Sequence, residues 1–243
     1  MEGMSGAATR HLYNNLCALP GGCSCLQIGV WKGSSVVAAL SGNPGCRVTA
    51  VDCWSEFGGP RDEFLAVCEQ LLSEDERAQM QLVDGDAFNL QPPLPESHYD
   101  LYIYDGAHDY ASQARAIAAA LYVFAITAIW RHLTTTAIVV IDDINFDSVR
   151  QGTADGCEAV GGCMAGGGVI AASFERRLTL DGSHTPLPEA RRGYWNGVLV
   201  LVIDKSAAAP GAPGAGGSSG AGGDMGPGTP LEEGIPGREA SVD

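Results

Sequence analysis

No apolar run in this 243-residue chain reaches the roughly 20 residues that a membrane-spanning helix needs. The longest, Ala116–Trp130, has 15 residues, is rich in alanine, and reads as a buried helix. Met1–Asn15 lacks the apolar segment of a secretory signal, so a cytoplasmic location and no membrane partner are expected. The eight cysteines include no CxxC pair, which removes the spacing of a zinc ribbon or a thioredoxin-like centre. Without a secretory signal they are expected to be reduced thiols. Cys23-Ser24-Cys25 is a lone C-x-C inside an apolar strand and reads as core packing rather than half of a zinc site. Basic residues are scarce: 14 Lys and Arg stand against 29 Asp and Glu, a net charge of −15. A nucleic-acid partner is therefore not expected, because displacing counterions from phosphates takes a basic stripe.

Periodicity is missing from Ser206–Asp243, a Gly/Pro/Ala/Ser-rich segment with only Leu231 and Ile235 as aliphatic anchors. Such a segment cannot bury enough surface to offset chain entropy, and it is expected to be a disordered tail. Residues 1–205 remain as one domain, and hydrophobic residues at 45% are ample for its core.

Within that domain, short apolar runs alternate with helical patterns. The runs are Ser24–Ile28, Arg47–Val51, Met80–Val83, Asp100–Tyr104, Ala137–Ile141, a stretch within Val169–Leu180, and Val198–Ile203. Several are continuous rather than alternating, as strands covered on both faces must be. The clearest helix is Pro60–Leu72, where Phe64, Val67, Cys68, Leu71 and Leu72 recur at helical spacing. Five β-α alternations followed by two strands predict an α/β fold. Its sheet is doubly wound, seven-stranded and mostly parallel, with an antiparallel C-terminal edge pair. Ligands of such sheets bind beyond the carboxyl ends of the strands.

The strand ends carry the chemistry. Strand one runs into Gly29-Val30-Trp31-Lys32-Gly33-Ser34, whose two glycines permit a tight turn close to a ligand. The spacing is G-x-x-x-G rather than G-x-G-x-x-G, which weakens a dinucleotide reading. Strand two ends in Asp52, placed to accept hydrogen bonds from ribose hydroxyls or, alternatively, to cap a turn. Strand three ends in Asp84-Gly85-Asp86-Ala87, beside the adenine of a bound nucleoside or simply a turn. Strands four and five, which would be neighbours, end in Asp105-Gly106-Ala107-His108 and Asp142-Asp143. Three crowded carboxylates repel unless protonated or bridged by a cation, and oxygen ligands suit Mg²⁺, Ca²⁺ or Mn²⁺. His108 then stands where a general base would be wanted, a surface histidine being the plainer alternative.

Together these strand ends resemble the class I S-adenosylmethionine-dependent methyltransferases, over about His11 to Lys205. More narrowly, the chain is similar to small-molecule methyltransferases with an "E-I-G-x-W-K-G-S-S" first motif, followed by "D-x-W", "D-G-x-H-x-Y" and an acidic pair. Here these read Gln27–Ser35, Asp52-Cys53-Trp54, Asp105–Tyr110 and Asp142-Asp143. The resemblance implies that Gly29, Trp31, Gly33 and Ser34 line the methionine and ribose part of S-adenosylmethionine. It implies that Asp52 holds the ribose, Asp86-Ala87 the adenine, and Asp105, Asp142 and Asp143 a Mg²⁺ or Mn²⁺ ion. By the same resemblance His108 is the base, with Asp105 beside it, in O-methylation of a sugar-like or phenolic small molecule. Two departures stand out. Gln27 replaces the usual acid, removing a charge from the methionine end, and the Tyr110–Leu133 segment is longer than usual. An NAD-dependent oxidoreductase and a degenerate nucleoside-binding module are the competing readings; acceptor identity and homo-oligomer formation stay open.

Deleting Ser206–Asp243 should leave the melting temperature and the affinity for S-adenosylhomocysteine unchanged. A large fall in either, read by calorimetry, would show that Leu231 or Ile235 docks on the body.

Overall fold

The computed structural model describes residues 3–90, 94, 99–112, 132–159, 170–174 and 191–204. Seven strands are present: β1 (Cys23–Ile28), β2 (Cys46–Asp52), β3 (Met80–Asp84), β4 (Tyr99–Tyr104), β5 (Leu133–Asp142), β6 (Ile170–Phe174) and β7 (Val198–Asp204). They form one sheet in the order β3-β2-β1-β4-β5-β7-β6. The five central strands are parallel, while β7 runs antiparallel to both β5 and β6. This is the expected seven-stranded α/β sheet with its antiparallel edge pair. Among the described residues no helix is long and apolar enough to cross a membrane. The Ala116–Trp130 stretch and the 206–243 segment lie outside the described residues.

Continuous apolar runs in β1, β2, β4 and β5 are explained by burial on both faces. Leu26, Ile28, Val51, Tyr102, Tyr104, Val139 and Ile141 face one core. Cys23, Cys25, Val48, Ala50, Leu101, Ile103 and Val140 face the other. Five described helices flank the sheet: α1 (Ala7–Cys17), α2 (Ser34–Leu40), α3 (Arg61–Leu71), α4 (Glu74–Ala78) and α5 (Asp147–Ala159).

α3 matches the predicted helix with two corrections. Pro60 is its N-cap rather than its first residue, and Asp62 and Glu63 occupy the first turn, favourable to the helix dipole. Phe64 and Cys68 are buried, but Leu71 is 44% exposed. The apolar stripe is narrower than the spacing predicts: Phe64, Cys68 and, past the helix end, Leu72 are buried, Val67 packs partly against the core, and Leu71 does not join it. Phe64 is what seats the first loop: a Cβ on Gly33 would lie 2.9 Å from its ring. Gly33 also has φ +85, a conformation that other residues enter only at a cost.

Phe64→Ala should therefore cost about 3–5 kcal/mol of stability, as truncation of a buried aromatic does. Leu71→Ala should stay within about 0.5 kcal/mol. Urea unfolding of both variants checks this, and equal losses would show α3 docked by a different face.

Candidate functional site

A cavity of about 640 Å³ opens at the carboxyl ends of the parallel strands. The first loop is shaped by two constraints. Gly29 has φ +79, and a Cβ there would fall 1.9 Å from the carbonyl oxygen of Asp105, so no side chain fits. Asp52 supplies the second. Its Oδ2 accepts the backbone N–H groups of Val30 (2.8 Å) and Trp31 (3.0 Å), and its Oδ1 accepts that of Trp54 (2.8 Å). These bonds hold Trp31 and Trp54 at φ 41 and φ 55, in left-handed conformations unusual for bulky residues. The turn-organising alternative for Asp52 is thus present in the structure. Three of its roughly four acceptor sites are thus taken, and Oδ1 keeps capacity for a further donor.

Gly29, Trp31, Ser34 and Asp52 all line the cavity, whereas Gly33 does not; it acts from behind, against Phe64. The Ser34 hydroxyl is bonded to that of Ser5 (2.7 Å), which ties the N-terminal segment to the start of α2. Trp31 Nε1 is buried without a hydrogen-bond partner, an orphaned donor in the cavity wall. Asp86 and Ala87 also line the cavity, with Asp86 accepting the N–H of Phe88 (2.9 Å) and the amide of Asn89. At the mouth, Phe57 is 64% exposed and stands edge-on to Trp31, ring centroids 6.3 Å apart.

Gln27 behaves differently from expectation. It is fully buried and outside the cavity wall; its amide donates to Ser35 Oγ (2.5 Å) and to the Gly29 carbonyl (3.4 Å). It braces the loop against α2, so its presence removes no charge from the cavity surface.

The acidic rim follows from register. Tyr104 pairs with Ile141 across β4 and β5, so Asp105 and the Asp142-Asp143 pair emerge side by side. His108 Nε2 lies 2.7 Å from Asp143 Oδ2 and 3.8 Å from Asp105 Oδ1. Ligand atoms of Asp105, His108 and Asp143 all fall within 4.8 Å of one another. Asp142 is turned away: its Oδ2 accepts the Tyr13 hydroxyl (2.9 Å) and its Oδ1 the N–H of Asp143 (2.9 Å). The three groups gathered at one point are Asp105, His108 and Asp143, not Asp105, Asp142 and Asp143. The difference arises because α1 brings Tyr13 beneath the rim, and Asp143, at φ 57, swings back toward His108.

Charge crowding shows in the proton affinities. Burial raises Asp105, the hydrogen bond with His108 lowers it, and the charge of Asp143 raises it again, leaving it at about 6. Burial, with the charges of Asp105 and Asp143, holds Asp142 well above the usual carboxylate range. Burial lowers His108, but its hydrogen bonds to Asp105 and Asp143 and their charges prevail and push it up to about 10. With no cation, then, a proton on His108 offsets part of the rim's negative charge. The Asp105 and Asp143 carboxylates are oxygen donors of the kind that Mg²⁺ or Mn²⁺ takes, and such an ion would take over the compensation that the proton provides.

The sequence reading passed over two groups. Asp84, at the tip of β3, accepts Trp54 Nε1 (2.8 Å) and pairs with Arg61 through Nε and NH2 (2.9 Å). It buttresses the loop after β2; the Asp-Gly-Asp turn offered two carboxylates, and only Asp86 was singled out. Asn196 lines the cavity beside Trp195, just ahead of β7, and its carbonyl accepts the Asn145 N–H (2.8 Å). Nothing in its local sequence marks it.

Comparison with known proteins agrees with this geometry. Residues 26–144 match a family model described as a methyltransferase domain. A crystal structure of a protein from Klebsiella pneumoniae assigned as an O-methyltransferase is similar, with TM-score 0.56, 14% identity, and 82% and 81% of the two chains covered. An O-methyltransferase from Bacillus cereus in complex with SAH gives TM-score 0.52 and 16% identity, covering 80% of each chain. A protein from Staphylococcus aureus assigned as a caffeoyl-CoA O-methyltransferase gives TM-score 0.50 and 13% identity, covering 81% and 82%. At these identities the likeness is one of fold. No curated protein matches the chain in sequence. The matched domain and the sheet with its loop-lined cavity define a class I methyltransferase fold. Residues 26–144 thus form a methyltransferase domain, on the fold of the S-adenosylmethionine-dependent enzymes of that class.

The raised His108 gives a direct test. A folded-state pKa near 10 against about 6.5 unfolded means that protonated His108 stabilises the metal-free protein fully below about pH 6.5. That stabilisation is lost as pH rises through about 10. NMR titration of the metal-free protein should find the imidazole still protonated at pH 8. Titration near 6.5 would show that the contacts to Asp105 and Asp143 do not persist in solution.

Proposed function

We propose that the protein transfers a methyl group to a hydroxyl of a small molecule, sugar-like or phenolic, with a divalent cation at Asp105 and Asp143. The convergence of Asp105, Asp143 and His108 at the cavity edge carries this reading. S-adenosylmethionine supplies the methyl group as a sulfonium, and a divalent cation supplies a charge that acidifies an oxygen nucleophile. The chain's own residues do the rest. Gly29 and Gly33 shape the first loop so that its backbone meets the ligand closely, and Ser34 begins the helix behind it. Trp31, with its unpartnered Nε1, walls the methionine and ribose end. Asp52 holds that loop and offers its remaining acceptor capacity to the ribose hydroxyls, while Asp86-Ala87 borders the adenine.

Methyl transfer is an in-line displacement, so alignment of acceptor oxygen, methyl and sulfur supplies a large share of the acceleration. The acceptor lies toward the rim, under Phe146, Trp195 and Asn196, which line the same cavity. Asp105 and Asp143 would hold the cation, and His108, whose Nε2 faces both, is the group placed to accept the acceptor's proton. Asp142, locked by Tyr13, positions Asp143 through the N–H bond rather than binding the cation itself.

Assay of methyl transfer to a panel of sugars, phenols and glycolipid precursors identifies the acceptor class. On the acceptor found, EDTA should abolish turnover and Mg²⁺ or Mn²⁺ restore it. His108→Ala should lower turnover by about 10²–10⁴-fold with S-adenosylhomocysteine affinity retained, the usual contribution of a general base. Full activity in EDTA would remove the cation, and full activity of His108→Ala would remove the base.

A further inference from the structure

At the end of the sheet opposite the cavity, cysteines from three elements meet. Cys17 is the last residue of α1, Cys23 the first of β1 and Cys46 the first of β2. Cys23 and Cys46 are register partners on neighbouring strands. The Sγ atoms of Cys17, Cys23 and Cys46 lie within 4.8 Å of one another. Cys25, two residues along the same face of β1, is hydrogen-bonded to Cys17. All four are free thiols, none more than 3% exposed, in a core shared with Tyr13, Leu40 and Val48. A single buried cysteine packs as a small hydrophobe. Three thiols from three separate elements, all within 4.8 Å of one another, make a sulfur-only donor set. Soft thiolate ligands of this kind select thiophilic cations, and Zn²⁺ accepts three or four of them at about 2.3 Å.

We propose that Cys17, Cys23 and Cys46 bind a structural Zn²⁺ ion, with Cys25, two residues along β1 in the same core, as the candidate for the fourth position. Binding exchanges three S–H bonds for three Zn–S bonds and releases three protons to solvent; no electrons move. Because thiols must lose their protons to bind the ion, loading is pH-dependent. The consequence reaches the rim. Tyr13 stands one helical turn before Cys17 on α1, and its hydroxyl is the one bonded to Asp142. A cation fastening the end of α1 to β1 and β2 fixes the helix that carries Tyr13. Linear spacing hides the set, because Cys17 and Cys46 come from segments on either side of the C-x-C pair. The proposal is independent of the methyl-transfer reading.

Full-length protein, purified without chelator and then dialysed at neutral pH, should hold about one Zn²⁺ per chain by elemental analysis. Replacement by Co²⁺ should give thiolate-to-metal charge-transfer absorption in the near ultraviolet. Cys46→Ser and Cys17→Ser should lose the metal, and Cys53→Ser, at an exposed thiol outside the cluster, should keep it. Should the serine variants fail to fold, X-ray absorption on the unaltered protein decides, with a first shell of sulfur near about 2.3 Å expected. A shell of oxygen and nitrogen would put the ion at the acidic rim and overturn the proposal. So would a chain that takes up no Zn²⁺ on reconstitution, or a disulfide joining two of these cysteines in an unreduced digest.

Discussion

Parallel pairing of β4 with β5 drives three carboxylates to one rim, and much of the surrounding structure is arranged to make that tolerable. Asp142 is the most enclosed, and it is answered by the Tyr13 hydroxyl, delivered by α1 from the far end of the sequence. Asp143 is answered by His108 at 2.7 Å, and Asp105 shares the same imidazole more distantly. Removing one partner from such a set leaves a buried charge uncompensated, which costs far more than the surviving contacts return. The proton on His108 is therefore part of what holds the rim together.

The neighbouring loop works by a different device. Asp52 gathers three backbone N–H groups and so fixes the path from β1 into α2, while Gly29 permits the chain to pass against the Asp105 carbonyl. Loop and rim are thus physically adjacent. The loop and the rim border one cavity, with Gly29, Trp31 and Asp52 on one side and Asp105, His108 and Asp143 on the other.

Much of this was legible in the sequence for a physical reason. Strands buried on both faces must be written as continuous apolar runs, so β1, β2, β4 and β5 announced themselves, and their carboxyl-end motifs followed. Side-chain partners far apart in the chain were not legible. Nothing near Asp142 points to Tyr13, and without Tyr13 the expectation that Asp142 joins the cation is natural. Leu71 fitted the helical stripe of α3 but lies past the edge of its contact with the core. Gln27 looked like a lost charge at the ligand because the motif says only that the position is close to the loop. Its burial behind that loop, against Ser35, is a tertiary fact. Asp84 and Asp86 offered the same local pattern, and only packing assigns Asp84 to Arg61 and Trp54.

Calorimetric titration of the full chain with S-adenosylhomocysteine, and separately with NAD, tests the central assignment of the cavity most directly. The account predicts about one S-adenosylhomocysteine bound per chain, weakened by Asp52→Ala, and no heat from NAD. Binding of NAD, or of neither ligand by a folded chain, would contradict it.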